Sequence, residues 1–114
     1  MIDDVEKSVA LVEKMQATLP MRAYPTKRLR RTLQQGSKRD FPRACRVTGV
    51  RYLSDEGGSM CDLDFGFDDA KQAHIVSITH LTFDRGHPLA REIKTYCKHR
   101  IKQLKKLHGG MVPT

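Results

Sequence analysis

The spacing of apolar residues changes period twice along this chain, and that change constrains the fold more than any other feature. From Asp3 or Asp4 to Leu19, the residues Val5, Val9, Val12, Met15 and Leu19 recur at three and four, the period of an amphipathic helix. The first turn is acidic, as a helix N-terminus prefers, and Pro20 closes the segment. The pattern returns at the other end. Pro88 suits a first helical turn, and Leu89, Ile93, Tyr96, Cys97, Ile101, Leu104 and His108 form one stripe. Arg91, Lys94, Lys98, Arg100, Lys102, Lys105 and Lys106 are expected on the flanks and back of that helix.

Between these ends the period drops to two. Ala44–Leu53 and Ser59–Phe67 read as strands joined by the turn-forming Ser54, Asp55, Glu56, Gly57 and Gly58. In the second strand Cys61, Leu63, Phe65 and Phe67 take one face, while Met60, Asp62 and Asp64 take the other. After a turn at Asp68, Asp69, Ala70 and Lys71, the run Ala73–Phe83 carries apolar residues on both parities and is expected to be the best-covered strand. A short helix is expected from Thr26, as cap, through Gln35 before Gly36, with only Leu29 and Leu33 to anchor it.

The expectation is therefore an α+β fold: an N-terminal helix, a short basic helix, a three-stranded antiparallel sheet and a long C-terminal helix. Residues 1–108 form its one compact domain and 109–114 a tail. At a coarse level this order is similar to that of the double-stranded RNA-binding domain. That family sets a lysine cluster at the start of its last helix, whereas Pro88–Ile93 offers only Arg91, so membership does not follow.

At 114 residues the chain is long enough for one core and too short for a multidomain enzyme. With no Trp, that core must rest on Val, Leu, Ile and Met, with four Phe as its largest pieces. Cys45, Cys61 and Cys97 are odd in number and lack CxxC spacing, which argues for buried thiols over a disulfide framework or zinc knuckle. No apolar run suits a signal peptide or transmembrane segment, so a cytoplasmic or otherwise intracellular location is expected.

Charge supplies the functional reading. Lys and Arg number 21 against 13 Asp and Glu, a formal net charge of +8. Residues 22–51 hold ten of the cations against Asp40 alone, residues 88–114 hold seven against Glu92, and the intervening segment is acidic. Two basic segments separated by an acidic one suit a protein that meets a polyanion on one face. The leading expectation is a nucleic-acid-binding protein, with DNA and RNA not distinguished. Its candidate phosphate-contacting residues are Lys27, Arg28, Arg30, Arg31, Lys38, Arg39 and Arg43, with Lys98, Lys102, Lys105 and Lys106 of the last helix. Arg46 and Arg51 continue the first basic segment.

Two other classes fit less well. One is an adaptor or oligomeric module that binds an acidic protein, or a homodimer in which a second chain completes the thin stripe of the first helix. The other is a metal-dependent nuclease built on Asp62 and Asp64 with His74, His80, Asp84 and His87. Against the nuclease, the two aspartates are what the wet face of a half-exposed strand should hold, and His74 and His80 would stand about 20 Å apart along an ideal strand. Tyr52 as an acid–base group has an equally good reading as a buried ring with a bonded hydroxyl. Asp55 and Glu56 before Gly57 and Gly58 would repel a phosphate. No catalytic residue, cofactor or metal ligand is therefore assigned.

Overall fold

A computed structural model describes residues 2–67 and 74–107. Helix α1 runs Val5–Gln16, strand β1 Met21–Pro25, helix α2 Lys27–Gln35, strand β2 Cys45–Tyr52 and strand β3 Ser59–Asp64. Strand β4 (His74–Ser77), a 3-10 turn (Ile78–His80), strand β5 (Leu81–Phe83) and helix α3 (Ala90–Leu107) complete the elements among the described residues. The expected turn at Asp68–Lys71, the residue Ala73, and the region from His108 onward lie outside the described residues.

The α+β class and the two terminal helices are present, but the sheet has five antiparallel strands in the order β4-β3-β2-β1-β5 and not three. One added strand is β1, a five-residue segment bracketed by Pro20 and Pro25, whose inward residues Met21, Ala23 and Pro25 alternate with Arg22 and Tyr24. It pairs with β2 through Met21–Val47, Arg22–Arg46 and Ala23–Cys45, and with β5 through Ala23–Phe83 and Pro25–Leu81. Two flanking prolines and a small apolar set make such a segment look like a linker.

The other added strand arises because Ala73–Phe83 is broken. Ser77 caps the 3-10 turn, its hydroxyl accepting from the Thr79 amide at 3.3 Å, and Ile78 in that turn is fully buried. The turn shifts the strand phase, so Val76 before it, Ile78 in it, and Leu81 and Phe83 after it all face the core. Apolar residues on both parities thus record two strands of opposite phase, not one strand covered on both faces.

Those two strands occupy opposite edges of the sheet, yet only residues 78–80 join them. In a flat five-stranded sheet the edges would be about 19 Å apart. The four steps from Ser77 to Leu81 span at most about 14 Å. The sheet must therefore curl, and it forms an antiparallel half-barrel. Met21, Ala23, Cys45, Val47, Val50, Cys61 and Leu63 line its buried face.

Helix α1 packs on β2 and α3 packs on α1 and the 3-10 turn, while α2 packs on β1. The α1 face is Ser8, Leu11, Val12 and Met15, so the inward stripe is displaced from the expected one and leaves Val5 and Val9 exposed. Asp4 caps this helix by accepting from the Lys7 amide at 3.2 Å. In α3 the inward stripe is Ile93, Tyr96 and Arg100, and Ile101 is exposed. Arg100, expected on the polar surface, is instead buried.

Arg100 is buried because it is paired. Its Nη1 donates to Asp3 Oδ2 at 2.9 Å and to the Asp55 carbonyl at 2.9 Å, and its Nη2 donates to the Glu56 carbonyl. The same Asp3 oxygen accepts from Tyr52 Oη at 2.9 Å and Tyr96 Oη at 3.2 Å, and Tyr96 Oη accepts from the Ser59 amide at 3.0 Å. The Asp55 carboxylate in turn accepts from the backbone amides of Ile2 and Asp3. Gly58, at φ +68°, is required here, because a Cβ would lie 2.6 Å from Arg100 Cζ. This network ties the N-terminus, the β2–β3 turn and α3 into one unit.

Candidate nucleic-acid interface

The first basic segment is displayed on α2 and on the loop that leads to β2. Thr26 caps α2, its hydroxyl accepting from the Leu29 amide at 3.3 Å, and Leu29 is the buried anchor. With Leu29 turned inward, Lys27, Arg28 and Arg31 are left exposed. Arg30 differs from them. It is half-buried, its Nη2 reaches the Phe41 carbonyl at 3.5 Å, and its Nε is buried with no hydrogen-bond partner among the described residues.

The loop carrying Lys38, Arg39 and Arg43 is anchored at both ends. Gln34 accepts from the Phe41 amide at 3.2 Å through Oε1 and donates to the Arg39 carbonyl through Nε2, and the Ser37 hydroxyl accepts from the Arg39 amide at 3.0 Å. Phe41 is buried, with its ring 5.0 Å from Phe65, 5.3 Å from Phe67 and 5.6 Å from His74 in edge-to-face contacts. The Arg39 guanidinium lies over the Phe67 ring at 5.0 Å. These rings form a packed cluster beneath the loop.

On α3, Lys98, Lys102, Lys105 and Lys106 are exposed. The two basic elements have different supports, β1 for α2 and α1 with the 3-10 turn for α3. The ion pairs among the described residues are Lys14–Glu92 at 3.0 Å, Arg51–Asp62 at 3.3 Å and Arg100–Asp3 at 2.9 Å. Arg51, in the basic segment, is thus already neutralised.

The carboxylates considered for a metal are differently engaged. Asp62 leans over Gly49 towards Arg51, in a space that a Cβ at Gly49 would fill, 2.3 Å from the Asp62 Oδ2. Asp64 Oδ1 accepts from the Gly66 amide at 2.8 Å, and Asp84 Oδ1 accepts from Tyr24 Oη at 2.7 Å. His74 packs in the aromatic cluster, and the His87 Nδ1 accepts from the Leu89 amide at 3.1 Å. Among the described residues no three of His, Cys, Asp or Glu stand where they could hold a metal ion. Tyr52 lies in the buried network, where burial first and the Asp3 hydrogen bond second push its phenol far above the ordinary range.

β1 brings residues that periodicity left out. Arg22 stands directly across from Arg46, both exposed on the outer face, and the Arg22 guanidinium lies 5.7 Å from the centre of the Tyr24 ring. The signal was the alternation of Met21, Arg22, Ala23, Tyr24 and Pro25, hidden by its shortness. Comparisons with protein-family models, curated proteins and solved structures find no match to this chain. Among the described residues no helix is long and apolar enough to cross a membrane.

Proposed function

We propose that the protein binds nucleic acid through the phosphate backbone. Lys27, Arg28 and Arg31 of α2 with Lys38, Arg39 and Arg43 of the following loop form the principal set, and Lys98, Lys102, Lys105 and Lys106 of α3 a second. One observation carries the reading: Lys27, Arg28, Arg31, Lys38 and Arg43 are all exposed, and among the described residues none has a carboxylate within 4.0 Å. Cations left uncompensated among the described residues attract phosphates, releasing the counterions that surround a polyanion. An anchored loop adds geometry, since Lys38, Arg39 and Arg43 are presented by backbone that Gln34 and Phe41 hold in place.

The test is binding to mixed-sequence RNA and DNA measured as salt is raised. A phosphate binder shows log affinity falling linearly with log salt concentration, and replacing Arg28 and Arg31 by Gln reduces that slope by about 1 for each phosphate no longer neutralised. Absence of binding at low salt refutes the proposal.

A further inference from the structure

We infer that the outer face of β1 and β2 is a site for single-stranded nucleic acid, with Arg22 and Arg46 flanking a phosphate and Tyr24 supporting a base. This rests on the proposed function and adds to it one strand form and a further contact face on β1 and β2.

The register places Arg22 and Arg46 as Cα partners on adjacent antiparallel strands, and both side chains are on the exposed side. Like charges facing each other across a strand pair repel, so a sheet gains nothing from this pair by itself. Asp64 is the partner of Arg46 on its other side, but its Oδ1 is bonded to the Gly66 amide, and among the described residues no ion pair joins it to Arg46 within 4.0 Å. Two arginines at one register position on adjacent strands can both reach a single phosphate, whose oxygens match their guanidinium forks.

Tyr24 gives the pair its preference for a single strand. Its Oη donates to Asp84, which lies beyond Thr82, the residue paired with Tyr24 on β5. The ring is therefore drawn across the sheet, and the Arg22 guanidinium covers it. When the Arg22 fork turns to a phosphate it uncovers a ring fixed through its Oη, which is a stacking surface for an unpaired base. The bases of a duplex are stacked on one another and cannot reach it. Thr82, the exposed partner of Tyr24 on β5, stands beside the ring with its hydroxyl donating to the Tyr24 carbonyl at 3.3 Å.

The probes are a labelled mixed-sequence RNA strand, the same sequence in DNA, and the corresponding duplexes, titrated into the full chain. Arg22→Gln, Arg46→Gln and Tyr24→Leu are each expected to weaken single-strand binding about tenfold. Tyr24→Phe keeps the ring and is expected to bind as the parent does, which separates stacking from the Asp84 bond. The chain has no Trp and three Tyr, so stacking should also quench tyrosine emission, and Tyr24→Leu should abolish the quench. If the strands bind, Arg28→Gln weakens them and the three β-strand variants do not, the inference falls while the proposed function stands. Duplex binding at least as tight as single-strand binding, insensitive to Tyr24→Leu, also overturns it. If no oligonucleotide binds the parent at low salt, both fall.

Discussion

Asp3 and Arg100, separated by almost the whole described chain, meet at 2.9 Å with side chains that are 0% and 5% exposed. Burying two charges costs several kcal/mol of solvation, which the pair and its surrounding hydrogen bonds must offset. Removing one partner leaves the other charge uncompensated. Arg100→Met and Asp3→Ala are each expected to lower the free energy of unfolding by about 3–5 kcal/mol, while the double variant loses much less than the sum. Urea denaturation of the four proteins of that cycle measures it, and additive losses would contradict the coupling.

Gly58 closes over that pair. Ala at this position meets both a backbone in the left-handed region and the tethered guanidinium of Arg100. Gly58→Ala is expected to cost at least about 2 kcal/mol, more than left-handed strain alone. The same change at Gly66, which also has positive φ but no described atom within 4 Å of its Cβ position, should cost only the strain of about 1–2 kcal/mol.

Asp55 makes the N-terminal tether sensitive to acid. Hydrogen bonds from the Asp3 and Ile2 amides hold its carboxyl below the ordinary 3.8. A depressed folded value means that the contribution is complete above the ordinary value and is lost as pH falls through the folded one. Asp55→Asn should therefore reduce the pH dependence of unfolding below pH about 4, as seen by circular dichroism, and leave the alkaline side unchanged.

All three tyrosines are shifted upward, Tyr24 chiefly by its bond to Asp84, and Tyr52 and Tyr96 chiefly by burial. A raised folded value contributes stability that is full below the ordinary value near 10 and is lost as pH rises through the folded one. Spectrophotometric titration should show no phenol ionising at the ordinary value in the native protein, with Tyr52 and Tyr96 ionising only as the fold is lost.

Burial also raises the thiols, Cys45 to about 11 and Cys61 and Cys97 to about 12. Thiolate is the reactive form, so a disulfide reagent at pH 8 should react slowly with the native chain and rapidly with all three cysteines after denaturation. A thiol that reacts at the free-cysteine rate in the native state would contradict the burial.

Local chemistry was legible wherever a single element obeyed a single period. The Thr26 cap, Leu29 and Gly36 outlined α2 because capping and the stripe act within the helix itself. β1 was hidden because its stability comes from β2 and β5, not from its own five residues, and tertiary pairing leaves little trace in so short a segment. The break at Ile78 was hidden for the opposite reason, since a continuous apolar run gives no mark of a phase shift. Arg100 could not be read as buried, because its partners Asp3, Asp55 and Glu56 are distant in sequence. The basic segments were visible as charge, but the adjacency of Arg22 and Arg46 required a register, which only the folded sheet supplies.

The three residues between β4 and β5 act on more than their neighbours. A sheet bent by so short a tie has a convex back, and side chains standing on a convex surface fan outward from one another. Arg22 and Arg46 stand on that convex side as backbone partners, so the curvature sets the angle at which their side chains leave the sheet. That angle is governed by the length of the connection between the two edges of the sheet, so lengthening the 78–80 connection is a way to tune the outer face without altering any residue on it.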